Sequence, residues 1–315
     1  MLNIHRINKT SRTTLVAVLA LSLALLPGCG GGGGAGAPTA VSSSQGSTPP
    51  STHVSAKLSI KQGELLNAVC FGNGYHVAVG DAGKVLMTSD QLTWTAASSG
   101  SDAALYGVTY GQGKFLAVGA DGSILVSSNA STWQKVDSGN SEMLYGAAYG
   151  NGRFVVTGTN GTILNSSDGV TWTAATSPTS NWIYSVSWCK DRFLATGEGG
   201  ALFASSDGST WSAVNSGVTT WLFSVCYANG LFVAVGEGGT VRISADGLTW
   251  QGVASGVDQA LMCVAFDGNE FLALGEGGTI LTSVNGVSWA AGTNSGSDWL
   301  YGAAVGSGTV ITVGI

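Results

Sequence analysis

Short apolar runs alternate with glycine-rich polar turns from Leu66 to the last residue, Ile315. The runs restart at Leu66, Leu105, Leu144, Ile183, Leu222, Leu261 and Leu300, and Trp94, Trp133, Trp172, Trp211, Trp250 and Trp289 keep the same interval of 39 residues. A fixed interval of this size, with several short runs inside it, marks a repeat architecture. Each full unit divides into four short strands, as at 105–110, 114–118, 123–127 and 133–136, which is the content of one propeller blade.

Six units are complete, and the seventh ends after two strands. Residues 54–60 stand just before the first unit, where the fourth strand of a blade belongs. Joining them to the last unit closes a ring and removes the open edges of a linear stack. The expectation is therefore an all-β chain, a seven-bladed β-propeller of 39-residue repeats over 54–315, its seventh blade shared by the two termini. In the first strand of each unit, bulky and small residues alternate (Tyr145, Gly146, Ala147, Ala148, Tyr149), so the bulky face of one blade can seat on the small face of the next. A glycine ends every second strand, from Gly80 to Gly314, and reads as a backbone position that needs glycine.

The turn before each marker tryptophan is built for tightness. In Ser166-Ser-Asp168-Gly-Val-Thr-Trp172, Asp-Gly favours the turn and the aspartate can bond back to its own backbone. The equivalent acids and amides are Asp90, Asn129, Asp168, Asp207, Asp246 and Asn285. The pattern Ser/Thr-x-Asp/Asn-x-x-Ser/Thr-Trp resembles the Asp-box of bacterial neuraminidase repeats, one residue shorter. With the Gly-x-x-Gly before the third strand, as at Gly275 to Gly278, it is most similar to the repeats of photosystem II stability and assembly factors. That resemblance implies a propeller. It implies little about activity, because such repeats serve enzymes and binding proteins alike.

The start of the chain follows a different rule. Basic residues Arg6, Lys9 and Arg12 precede an apolar run at 15–26 that is shorter than a membrane span and ends in Leu-Pro-Gly-Cys29. This resembles a bacterial lipoprotein signal: residues 1–28 are expected to be removed, Cys29 lipidated, and 29–53 left as a Gly/Ser/Pro-rich tether. Gly30 after the cysteine implies an outer-membrane lipoprotein of the cell envelope, with the membrane as a partner through Cys29.

Charge and histidine count narrow the chemistry. Losing the leader leaves 9 basic residues against 18 acidic, a net charge of −9. No basic stripe remains to neutralise phosphates, which argues against nucleic-acid binding. Beyond the leader only His53 and His76 remain, and His76 takes a place held in other units by phenylalanine. Neither a hydrolytic triad nor a metal centre is expected, and no cofactor is implied. Arg153, Arg192 and Arg242 do not supply the converging arginine triad of a sialidase. Cys70, Cys189, Cys226 and Cys263 read as small buried residues, with disulfides of an exported protein as the alternative.

One constellation remains. The loops that join blades and the turns between second and third strands emerge on the same face of a propeller. The former carry Trp182, Trp221 and Trp299; the latter carry Asp81, Asp121, Glu198, Glu237 and Glu276. Aromatics beside carboxylates suit a protein, peptide, glycan or cationic group; alternatively the tryptophans pack between blades and the acids solvate the turns. The expectation is a monomeric, lipid-anchored binding or assembly scaffold. A glycan-acting hydrolase using paired carboxylates of the channel face is the alternative.

Overall fold

The computed structural model describes residues 56–57, 65–292 and 298–315. The expected leader, Cys29 and tether lie outside the described residues. In the first unit the strands Leu66–Gly72, Tyr75–Gly80, Val85–Thr88 and Thr95–Ala97 pair in chain order as an antiparallel sheet. Five further units repeat it, their innermost strands being Leu105–Gly111, Leu144–Gly150, Ile183–Cys189, Leu222–Ala228 and Leu261–Phe266. These strands succeed one another around a common axis, and Leu300–Gly306 lies between the last and the first.

The expectation of seven blades is corrected here. The fold is an all-β propeller of six complete four-stranded blades, and the termini meet in a three-stranded closing sheet instead of a further full blade. The physical reason is strand direction. Leu300–Gly306 and Thr309–Gly314 form an antiparallel pair, but Ala56–Lys57 joins Thr309–Gly314 in parallel, Ala56 facing Ile311 and Lys57 facing Thr312. A blade's third strand runs antiparallel to its second. The N-terminal strand therefore has the direction of a fourth strand in the place of a third, and the expected strand at 54–60 is described over two residues only.

The alternation expected for the innermost strands is also broken, at one place in every unit. Leu144 faces Gly158 but Gly146 faces Thr157, so Tyr145 is the extra residue of a β-bulge. The same shift recurs at Asn67, Tyr106, Tyr184, Phe223, Met262 and Tyr301. A bulge bends the strand and re-aims one side chain. It turns these residues to the axis, and the next position, now facing the neighbouring blade, must be small: a Cβ on Gly107 would collide with the carbonyl oxygen of Tyr145.

Past the bulge the bulky-on-small seating holds. Tyr149 occupies the space over Gly111, Trp188 that over Gly150, and Phe71 that over Gly306, which ties the closing sheet to the first blade. Each of these rings also packs on the next strand of its own blade, as Tyr149 does on Phe154 with centroids 4.7 Å apart. The glycines that end the second strands are extended, Gly119 at φ −169, not left-handed. They are required because a side chain there would strike the carbonyl oxygen of the residue before the innermost strand, Ala104 for Gly119.

Candidate functional site

The acids and amides before the marker tryptophans build turns. The Asp168 carboxylate accepts the N–H groups of Val170 and Thr171 at 2.7 and 2.8 Å and the Ser166 hydroxyl at 2.9 Å. Asp90, Asp207 and Asp246 do the same, and the amide oxygens of Asn129 and Asn285 accept two N–H groups each. These bonds hold the carboxyls of Asp168 and Asp246 well below the usual range and that of Asp90 at about 2. Trp133, Trp211, Trp250 and Trp289 each donate the indole N–H to the carbonyl three residues back. Trp94 and Trp172 are half-buried beside the same strands. The loops also lean on the preceding blade, where Lys114 Nζ donates to the Asp168 carbonyl at 2.7 Å and Ser209 Oγ bonds Asn165. This end of the propeller is committed to its own architecture.

The opposite end carries the candidate site. Each second strand runs into a short 3₁₀ turn whose middle residue is left-handed, as Gly199 at φ 67. Glu198, Glu237 and Glu276 open three of these turns and Asp81 a fourth. Asp121 is one position later, at the left-handed place of its turn with φ 53, and is exposed. The glutamates reach back over the blade-joining loop: Glu198 Oε2 faces the N–H of Trp182 at 3.5 Å, Glu237 that of Trp221 at 3.3 Å, and Glu276 that of Ala260 at 3.4 Å. In the third unit Thr159 stands in the glutamate place and the acid comes from the joining loop instead. Glu142 Oε2 accepts Thr159 Oγ1 at 2.6 Å and Asn160 Nδ2 at 2.9 Å, bonds that lower its pKa. Sequence reasoning missed Glu142 because it sits outside the repeat register of the other acids.

Trp182, Trp221 and Trp299 are half-buried, not free-standing. They rest on the bulged residues Tyr106, Tyr145, Tyr184, Phe223, Met262 and Tyr301, which form one buried cluster at the axis. Trp221 lies 5.6 Å from the Tyr184 ring and edge-on to Phe223 at 6.3 Å; Trp182 is 6.3 Å from Tyr145 and edge-on to Tyr184 at 6.4 Å. Burial raises the phenol pKa values of Tyr145 and Tyr184, and the neighbouring Glu198 and Glu237 raise that of Tyr184 further. The mouth is thus an aromatic floor rimmed by carboxylates. The bulge hid this floor from the sequence reading, although Gly107 and Gly146 inside apolar strands are the kind of signal that accompanies one.

The chain's fold has known counterparts. A family profile described as the DUF6242 beta propeller domain matches residues 52–181. YCF48 from Cyanidioschyzon merolae superposes with a TM-score of 0.65 at 16% identity, covering 84% of this chain and 94% of that one. A structure of YCF48 bound to D1 peptide gives 0.66 at 17% identity, covering 80% and 89%. The likeness fixes the fold alone. No curated protein matches the chain.

The remaining candidates have structural places. His76 is buried against Phe71 with ring centroids 4.7 Å apart, and burial lowers its pKa to about 4. Cys70, Cys189, Cys226 and Cys263 are free, buried thiols, and desolvation raises their pKa values, that of Cys263 to about 12. Arg153 donates to Asn165 and Arg242 to the Trp250 carbonyl, within their own blades. Among the described residues no group of His, Cys, Asp or Glu is arranged to hold a metal ion.

Proposed function

We propose that the protein is a binding or assembly scaffold of the cell envelope, anchored through Cys29 as an outer-membrane lipoprotein, which recognises a protein, peptide or glycan at the aromatic, acidic mouth. The observation that carries this reading is the residue before each innermost strand. Three units hold half-buried tryptophans there, while the others hold Leu65, Ala104, Met143 and Ala260, so the repeat itself does not demand an aromatic. Large amphipathic rings at the rim of an aromatic floor are suited to recognition. The glutamates support binding over hydrolysis, since each turns to the backbone of its own unit and not to a second carboxylate. A propeller of the same fold has been solved with a peptide bound, which is consistent with a peptide partner here.

Substituting Trp221→Ala should leave the melting temperature within a few degrees of the parent. It should weaken capture of the partner from envelope extract several-fold, since an aromatic contact is worth about 0.5–1.5 kcal/mol beyond burial. Loss of fold with no separable loss of capture contradicts a recognition role for Trp221. The anchor has its own test: Cys29→Ser is expected to move the protein from the membrane fraction to the soluble one. Retention of that variant in the membrane removes the lipid-anchor proposal.

A further inference from the structure

The mouth's ligand chemistry can be taken one step further, on the reading that the mouth is the recognition surface. Both ends of the propeller are acidic, but cations offset the acids only at the end that holds Asp90, Asp168, Asp207 and Asp246. Besides Asp81, Asp121, Glu198, Glu237 and Glu276, the blade-joining loops at the mouth carry Asp102, Glu142, Asp258 and Asp298, and Lys84 is the one basic residue on those loops and turns among the described residues. Lys114, Arg153, Lys190 and Arg192 all lie on hairpins at the other end. An acidic surface alone names no ligand.

Two buried atoms of the floor add a second, independent constraint. Tyr184 is 1% exposed, and its hydroxyl has no hydrogen-bond partner, although its ring lies against both Trp182 and Trp221. Asn67, at the same bulge position in the first unit, is 0% exposed, and its Oδ1 is likewise without a partner. Its orientation is forced, because Nδ2 donates to Asp81 Oδ1 at 3.0 Å and to the Leu105 carbonyl at 2.9 Å, leaving Oδ1 as a pure acceptor. Buried polar atoms without partners are costly and uncommon, and at a recognition surface they mark where a ligand supplies the missing bond. A donor answers the need of Asn67 Oδ1 and the acceptor side of the Tyr184 hydroxyl.

We infer that the floor of the mouth takes a cation bearing N–H groups, an alkylammonium or guanidinium presented by a basic peptide side chain or by a free amine. The carboxylates supply the charge, Trp182 and Trp221 the aromatic faces for a cation–π contact, and Tyr184 Oη, whose ring lies against both, an acceptor beside them; Asn67 Oδ1 offers a further acceptor at the bulge of the first unit. A quaternary ammonium satisfies the first two and leaves both acceptors unmet. A neutral sugar gains nothing from the charge.

The experiment is calorimetric titration of the full-length protein with tetralysine, with its ε-trimethylated counterpart of equal charge, and with spermidine. Tetralysine should bind, and its affinity should fall about tenfold or more between about 20 and about 300 mM salt. The trimethylated peptide should bind about fivefold or more weakly than tetralysine. Tighter binding of tetralysine than of spermidine assigns the cation to a peptide; the reverse assigns it to a free amine. Tyr184→Phe should weaken tetralysine several-fold, leave the trimethylated peptide unaffected, and keep or raise the melting temperature, because it deletes a buried unpaired hydroxyl. Glu198→Gln combined with Glu237→Gln, at the mouth surface, is the second variant and should flatten the salt dependence. Equal binding of the two peptides, or full tetralysine affinity in both variants, overturns the inference. If no probe binds while Trp221→Ala still weakens partner capture several-fold, the recognition surface stands and the cation assignment fails.

Discussion

His76 shows how one residue's burial sets a pH response. Five other units hold phenylalanine at its place, from Phe115 to Phe271, and the His76 ring meets Phe71 at the same 4.7 Å that separates Tyr110 from Phe115. Its pKa falls from the ordinary 6.5 to about 4 because the buried ring cannot be hydrated when charged. Between those values the unfolded chain binds more protons than the folded one, so stability is complete above about pH 6.5 and drains as pH falls toward 4, by roughly 3 kcal/mol at full extent. His76→Phe should remove that loss: melting curves at pH 7.5 and pH 5 should differ less in the variant than in the parent. An unchanged difference rules out His76 as its source. The carboxylates of Asp90, Asp168 and Asp246 act in another window. Their lowered pKa values confer stability that is present above the ordinary carboxylate value and is lost as pH falls below about 4, whatever stands at position 76. The histidine's place in the core was legible from the repeat, since a column of five phenylalanines, with Val310 in the seventh unit, identifies a core position.

At the scale of the strand, the repeat register told where each element begins but not how it is distorted. The strand starts at Leu66, Leu105 and their counterparts are as spaced in the sequence, whereas the bulge at each second position was not legible. A bulge depends on backbone pairing between strands, which a list of side chains does not record. Its consequence is visible on the face turned to the next blade. The second strands carry Val79, Val118 and Val235 where the third and fourth units carry Thr157 and Thr196, and both hydroxyls are buried without a partner, as is that of Ser185 opposite Thr196. A methyl fits where other units already place one. Thr157→Val with Thr196→Val should therefore stabilise the protein by about 0.5–2 kcal/mol, read as a higher denaturant midpoint with an unchanged slope. A lower midpoint means that the hydroxyls serve partners, such as internal water, that the substitution removes.

For the whole molecule, period and strand content announced a propeller, and the order of strands within each unit announced which loops share an end. That was enough to bring Trp182, Trp221, Glu198 and Glu237 to one face before any coordinate was known. Closure was less legible: counting starts gives seven, but only the direction of Ala56–Lys57 against Thr309–Gly314 distinguishes six full blades with a three-stranded closing sheet from a ring of equivalent blades. The mouth as a floor was not legible either, because strict alternation puts Tyr145 on the face toward the next blade, whereas the bulge turns it to the axis. On the proposed function the two ends of the molecule have separate duties, the turns before the marker tryptophans holding blades together and the acidic, aromatic end recognising a partner. The most direct test of that division is hydrogen exchange of the protein with and without its captured partner. Slowed exchange is predicted in the loops around Trp182 and Trp221 and in the turns at Glu198 and Glu237, with the turns at Asp168 and Asp207 unaltered. Protection centred on the turns at Asp168 and Asp207, with the mouth unaltered, would contradict that division.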